Sequence, residues 1–208
     1  LTEKIGVGSK RIPGPKLQPE DGTLPDITGP YVMKIDRLDP GDTGVSMGGM
    51  SVAMINPKEK DLKLVQRSVQ RKYLTDYVNG MSRGFLAANR RNPTNSYENY
   101  IEMGRAIDYH ILETLSGNVD TMVLSAYFHK PRNQKLIFGP HWDFDRALGS
   151  TDGRDANPRS WTSGPVFAGW YGQLFQDTEA WQRWVDRFQQ LRTHQLSLRH
   201  TGMLMDRL

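Results

Sequence analysis

Cysteine is absent from the 208 residues, which removes disulfide frameworks, thiolate zinc sites and cysteine nucleophiles while assigning no compartment. Long apolar runs are absent too: no stretch approaches the ~18 residues that a membrane-spanning helix needs. The opening Leu1-Thr2-Glu3-Lys4-Ile5 has neither the apolar core nor the cleavage pattern of a secretory leader, a silence without weight if the chain is a piece of a longer one. An excess of one charge is also lacking, since 27 Lys and Arg stand against 23 Asp and Glu for a net +4. Clusters such as Lys58-Glu59-Lys60 and Arg90-Arg91 sit among opposite signs, as solvated surface does. A basic stripe interleaved with aromatics is missing, so nucleic acid is not an expected partner. An acidic protein substrate or a phosphate-bearing ligand remains compatible with the charge. There is no internal repeat and no low-complexity segment.

Several chemistries fall by the same reasoning. Asp143, Asp145, Asp152 and Asp155 depart from a calcium loop, because Ala147 stands where its fifth position calls for Asp or Asn. His110, His129 and His141 have no partners at zinc-ligand spacing, and His110 reads as a helix-face residue. Ser116 and Ser125 lack a nucleophile-elbow context. Trp142, Trp161, Trp170, Trp181 and Trp184 fall on helical or strand periodicity and read as core before they read as a sugar platform.

What remains is enough apolar residue, 37%, for one lean domain in which long ordered loops overlie a smaller helical core. Strand pieces are expected at Tyr31–Asp36 and Ser51–Ile55, with a turn at Arg37–Asp42 between them. Asn56-Pro57-Lys58-Glu59 reads as a helix start, with Asn56 as cap and Glu59 closing a capping box. Leu62, Val65, Val69, Tyr73, Tyr77, Met81 and Phe85 then predict one long amphipathic helix over 58–89. Asn92–Ser96 breaks it and caps a second helix, with a stripe through Tyr100, Met103, Ile107, His110 or Ile111, and Thr114 or Leu115, and with Gly117 as its C-terminal cap. Ser125–Lys130 and Lys135–Phe138, joined by Pro131–Gln134, predict a hairpin. Residues 149–155 read as a polar, glycine-rich loop. A last helix begins at Asp177–Ala180, with Trp181, Trp184 or Val185, Phe188 and Leu191 as its stripe, and a further apolar pattern runs over 196–208.

Two acids frame the hairpin: Asp120, just past the helix end in Gly117-Asn118-Val119-Asp120, and Asp143, in Phe138-Gly139-Pro140-His141-Trp142-Asp143-Phe144-Asp145. A hairpin would return both ends to one place. Helix, loop acid, hairpin, second acid is the order in which a protein kinase's large lobe presents its catalytic-loop and metal-binding acids. Phosphoryl transfer needs one carboxylate to orient the attacking hydroxyl and another to hold magnesium. On spacing alone, Asp120 as a turn residue and Asp143 and Asp145 as local caps fit as well. Glycoside hydrolysis through Asp143 and Asp145 is a further alternative, weakened because neighbours two apart on an extended segment project side by side and not across a sugar.

Gly29-Pro-Tyr-Val-Met-Lys-Ile-Asp-Arg-Leu-Asp-Pro-Gly-Asp42, the run from Tyr109 through Asp120, Ser125–Lys130 and above all Gly139-Pro-His-Trp-Asp-Phe-Asp-Arg-Ala-Leu-Gly149 make the chain resemble the spore coat protein H (CotH) kinase family of atypical, protein-kinase-like proteins. The resemblance implies an α+β, protein-kinase-like fold, chiefly the helical C-terminal lobe. It implies ATP and Mg2+ as cofactors and phosphorylation of Ser or Thr hydroxyls in a protein substrate. It carries Asp120 onto the catalytic-loop acid and Asp143 onto the metal-binding acid, with Asp145 as a second metal ligand or an acceptor for the Gly149 loop. Where ordinary kinases have a metal-ligating Asn five residues after the catalytic Asp, this chain has Ser125. One-metal binding, or a substitute from Asn118, is then expected at the cofactor.

The resemblance also implies one domain over 1–208, incomplete at its N-terminus and at its C-terminus. Residues 1–55 would be the remnant of the nucleotide lobe with its linking strands, and 56–208 the helical catalytic lobe. Lys4, Lys10 and Lys34 are the candidates for a phosphate-pairing lysine, or else solvated side chains. A chain so truncated is open to being inactive alone, and a non-catalytic surface or coat-assembly module with the same fold stands as the alternative. Family members occur in spore coats and exported proteins, which makes an extracytoplasmic setting the expectation.

Overall fold

A computed structural model of the chain describes residues 5–8, 11–121, 123–149, 153–157, 159 and 167–207. Five strands, Tyr31–Ile35 (β1), Val45–Met47 (β2), Met50–Asn56 (β3), Ala126–Lys130 (β4) and Ile137–Phe138 (β5), join in one sheet ordered β2-β3-β1-β4-β5. Every pairing is antiparallel. Around it stand six α-helices among the described residues: Glu59–Leu62 (α1), Ser68–Leu86 (α2), Met103–Ser116 (α3), Gly169–Leu174 (α4), Thr178–Thr193 (α5) and Leu198–Met205 (α6). The architecture is α+β. Among the described residues no helix is long and apolar enough to cross a membrane.

The central strand is β1, and all of its residues are buried. It pairs with β3 on one side and, from Tyr31 against Lys130 to Ile35 against Ala126, with the first strand of the hairpin on the other. The hairpin stands where its turn chemistry predicts it, with Phe128 opposite Phe138. Helix α4 binds the layers together: the Trp170 indole N–H donates to the Gly48 carbonyl at 3.0 Å and the Tyr171 hydroxyl to the Ala106 carbonyl at 2.8 Å. Trp170 and Trp184 are core, as expected, whereas Trp181 is exposed; Trp161 lies outside the described residues. His110 is buried and takes the Trp184 indole N–H at 3.0 Å.

The single helix expected over 58–89 is two. Leu64 adopts extended backbone, ψ 147°, and a short 3-10 turn separates α1 from α2. The cause lies far upstream in sequence. The buried Arg67 guanidinium donates to Gln70 Oε1 at 2.7 Å and to the Leu17 carbonyl at 3.3 Å, while Gln70 Nε2 reaches the Gln18 carbonyl at 2.6 Å. Anchoring these side chains inward turns Val65 out to 87% exposure, and Val69 with it. The buried stripe of α2 is Gln70, Leu74, Val78, Met81 and Phe85. Asn56 ends β3 and donates to the Pro30 carbonyl at 3.2 Å, so it caps no helix. Glu59 instead takes the Thr43 and Gly44 N–H groups at 2.9 and 3.0 Å and pairs with Lys63.

The second helix also starts later than its breaker suggests. Ser96 accepts the Glu98 N–H of a 3-10 turn, and α3 is capped by Glu102, which accepts the Arg105 N–H at 2.7 Å. Helix α5 starts where expected, Asp177 accepting the Glu179 N–H at 3.0 Å.

Candidate functional site

Helix α3 ends at Gly117 as predicted: at φ 62° it occupies the left-handed region that a β-carbon disfavours. The Gly117 N–H returns to the Thr114 carbonyl at 3.1 Å and the Asn118 N–H to that of Glu113 at 3.0 Å, closing the helix. The chain then makes one tight turn. Asn118 Oδ1 accepts the Asp120 N–H at 3.1 Å, and the Asp120 carbonyl accepts from Leu124 at 2.8 Å. Asp120 is thus held from both sides, its carboxylate partly exposed and faced by Arg146 at 3.9 Å and Arg154 at 3.8 Å.

The second acid arrives by the hairpin. Beyond β5, the Gly139 N–H donates to the Tyr127 carbonyl at 2.8 Å, and the Gly139 carbonyl meets His129 Nδ1 at 3.0 Å. Burial pushes the His129 pKa down, with nearby Arg105 adding to it against the Gly139 bond. His141 stacks on Tyr109 with centroids 4.4 Å apart and planes 7° apart. Asp143 follows at φ 61°, heading a 3-10 turn over Phe144–Arg146, and Leu148 then donates to the Ser116 carbonyl at 2.8 Å. The segment that carries Asp143 is therefore pinned to the helix end that carries Asp120.

Ser125 Oγ donates to Asp143 Oδ2 at 3.2 Å. Ser125, at φ 54°, and Asp143 are both non-glycine residues in the left-handed region. Such backbone costs on the order of 1 kcal/mol or more per residue and concentrates at functional sites. A third group marks the place: the Tyr127 phenol is pushed up to about 12, first by burial and then by Asp36, Asp39 and Asp143.

The five residues nominated by the sequence divide accordingly. Asp120, Asp143 and Ser125 lie on adjoining turns. Asn118 is 3% exposed, and its amide is spent on Asp120 N–H and Glu113, so it supports the acid turn; the role of direct metal substitute is not what its burial offers. Asp145 is exposed, and it is Asp155 that accepts the Gly149 N–H, at 2.7 Å. Lys34 is buried in β1, not solvated, and is paired with Asp36 and Asp39 at 3.4 and 3.5 Å. Lys4, Lys10 and Asp152 lie outside the described residues.

No three acidic or histidine side chains converge into a metal cage among the described residues. Magnesium, however, takes one or two carboxylates and completes its shell with water and substrate phosphates. An exposed Asp143 carboxylate beside a hydroxyl is a hard-oxygen set of that kind, and the residues fit the ion.

Sequence reasoning gave no individual role to Glu113, Tyr109, Arg146 or Arg154, although Tyr109 and Glu113 lie in the run 109–120 and His141 and Arg146 in the motif 139–149, and it weighed His141 by itself only as a zinc ligand. Glu113 is 1% exposed and accepts from Asn118 Nδ2 at 2.6 Å and His141 Nδ1 at 3.1 Å. A carboxylate in the last turn of an apolar helix, just ahead of the acid loop, was the available signal. A family model described as CotH kinase protein matches residues 28–208. No curated protein and no solved structure matches the chain.

Proposed function

The chain belongs to the CotH kinase family, and from that premise we propose that it transfers a phosphoryl group from ATP, with magnesium, to Ser or Thr hydroxyls of a protein substrate. The observation that carries the reading is the convergence of the two acid-bearing turns, joined by Leu148 to Ser116 and by Arg146 to Asp120. A protein-kinase-like large lobe and a cell-surface or coat setting are parts of the same proposal.

Bound as its magnesium complex, ATP would supply the transferable γ-phosphoryl group and depart as ADP. Asp143 would hold the ion, with the Ser125 hydroxyl fixing the rotation of its carboxylate. Asp120 orients the acceptor hydroxyl and takes up its proton as the oxygen attacks. Arg146 and Arg154, which face Asp120, would offer guanidinium donors to the charge that builds on the transferred group, with little reorganisation during the reaction. Protein groups thus do little covalent chemistry and much positioning, as phosphoryl transfer requires.

Phosphate transfer by the wild type is to be compared with that of Asp120→Asn and Asp143→Asn. Each substitution is expected to cost on the order of 10²-fold or more, the second with a raised magnesium requirement. Equal transfer by all three proteins sinks the proposal. One observation favours a second reading, a non-catalytic interaction module: two guanidinium groups already face the Asp120 carboxylate and compete with an incoming hydroxyl. Calorimetry with ATP and magnesium separates the two, since a module of that kind releases no binding heat.

A further inference from the structure

We propose that Glu113 is a positioning residue, a buried anionic pillar that fixes the Asp120 turn and the Asp143 segment to each other; its consequence for catalysis rests on the kinase reading above. Two donors converge on this one carboxylate, Asn118 Nδ2 at 2.6 Å and His141 Nδ1 at 3.1 Å. Tyr109 lies beside them, its ring stacked on that of His141 and its phenol pKa raised first by burial and then by Glu113. Asn118 precedes Asp120 by two residues and holds its N–H; His141 precedes Asp143 by two residues. A single side chain therefore reaches both acids through matching short connections.

A buried carboxylate is costly unless its lone pairs are filled, and a leucine would serve the packing of α3 better. Filling the site with charge makes geometric sense only if the bonds it makes matter. They matter most to the segment 139–142, which borders an open cleft of ≈ 660 Å³ lined by Arg105, Phe138, His141 and Trp142 among others. With space on that side, the height of His141 over α3 is set by the Tyr109 ring beneath it and by Glu113. Misplacing a reacting group by about 1 Å can cost about 10²-fold in rate, so the pillar acts on turnover.

Three variants test this. Glu113→Leu removes every bond. Glu113→Gln keeps the shape, with an amide oxygen for Asn118 and an amide N–H for the other tautomer of His141. His141→Phe keeps the stack on Tyr109 and deletes one bond. Amide hydrogen exchange in the whole protein reads the pillar without reference to chemistry. In Glu113→Leu, segments 118–121 and 139–146 should lose protection together, about tenfold or more, while α2 and β1–β3 keep theirs. His141→Phe should loosen 139–146 first, and Glu113→Gln should restore most of the protection.

In turnover, Glu113→Leu should lower kcat about 10- to 100-fold, with KM for the acceptor changed less than about threefold, and Glu113→Gln should recover most of it. In Glu113→Leu, unchanged exchange, loosening of one segment alone, or loosening that spreads through α2 and the sheet overturns the pillar. So does loosening of both segments with kcat intact. Should Glu113→Leu fail to fold, His141→Phe decides: loosening of 139–146 with a lowered kcat supports the pillar, and unchanged exchange over 139–146 overturns it. A wild type that transfers no phosphate, with both segments loosened in the variants, retains the pillar and removes the kinase reading.

Discussion

Lys130 keeps an ammonium group at 2% exposure in the middle of the sheet. Carbonyl oxygens of Thr28 and Gln134 at 2.6 and 3.1 Å take its protons, and the rings of Tyr77 and Tyr73 lie 4.7 and 5.6 Å away. Dipoles and ring faces replace water only in part, and burial pushes its pKa down to about 8. The unfolded chain holds the same proton up to the ordinary lysine value of ~10.4. Between about pH 8 and pH 9 the unfolded state therefore binds more protons, and stability rises with pH. Toward pH 10 the phenols of Tyr31, Tyr73, Tyr77, Tyr97, Tyr109, Tyr127 and Tyr171 reverse the slope, because burial raises their pKa values and the unfolded chain ionises first. Maximum stability is expected near pH 9, and Lys130→Met, which keeps the stem over the tyrosines, should flatten the rising limb. Urea midpoints of both proteins at about pH 7, 8 and 9 check this. A wild-type midpoint that falls over that span, or an equal rise in the variant, contradicts it.

At the scale of elements, close approach decides more than propensity. Gly84 of α2 faces the backbone of Tyr97, where a β-carbon would stand 2.5 Å from the amide nitrogen and 2.8 Å from Cα. Alanine at an open helical position gains about 1 kcal/mol over glycine. Here the added carbon meets backbone that cannot swing away, and overpacking costs about 1–3 kcal/mol. Gly84→Ala is expected to lose about 2 kcal/mol in urea unfolding, and a gain would show that the 97–100 segment yields. The same contrast explains which elements were legible beforehand. The hairpin and the end of α3 were, because the Pro131–Gln134 turn and Gly117 act within a few residues of themselves. The break at Leu64 was not, since its cause is the hold of Arg67 and Gln70 on the loop at Leu17 and Gln18, and periodicity sees no distant partner. That the turns of Asp120 and Asp143 adjoin was legible from their order around the hairpin. Glu113 was not, because a stripe reading assigns an acid on an apolar helix to solvent. Only folding reveals that Asn118 and His141 both bond to it.

For the molecule as a whole, the sheet order has a consequence for cooperativity. β1 comes from the part of the chain expected as a lobe remnant, yet it is the central strand and carries the hairpin along its full length. Other ties cross the same boundary: Lys130 to the Thr28 carbonyl, Trp170 to the Gly48 carbonyl, Gln70 to the Gln18 carbonyl. Residues 57–208 alone would leave β4 with an open edge on its inner side, would bury the Trp170 indole N–H without its acceptor, and would leave the Lys130 ammonium with the Gln134 carbonyl but without that of Thr28. Each orphaned buried group costs about 1–3 kcal/mol, against a total stability of about 5–15 kcal/mol for a domain. The intact chain should therefore unfold in one transition, with calorimetric and van't Hoff enthalpies equal, and residues 57–208 alone should melt without a cooperative transition. Two resolved transitions in the intact chain, or a cooperative melt of the shorter piece, would mean that the site rests on the helical part alone. A single transition makes the two acids' geometry a property of the whole sheet, so that loosening β1 should depress phosphate transfer without any change at Asp120 or Asp143.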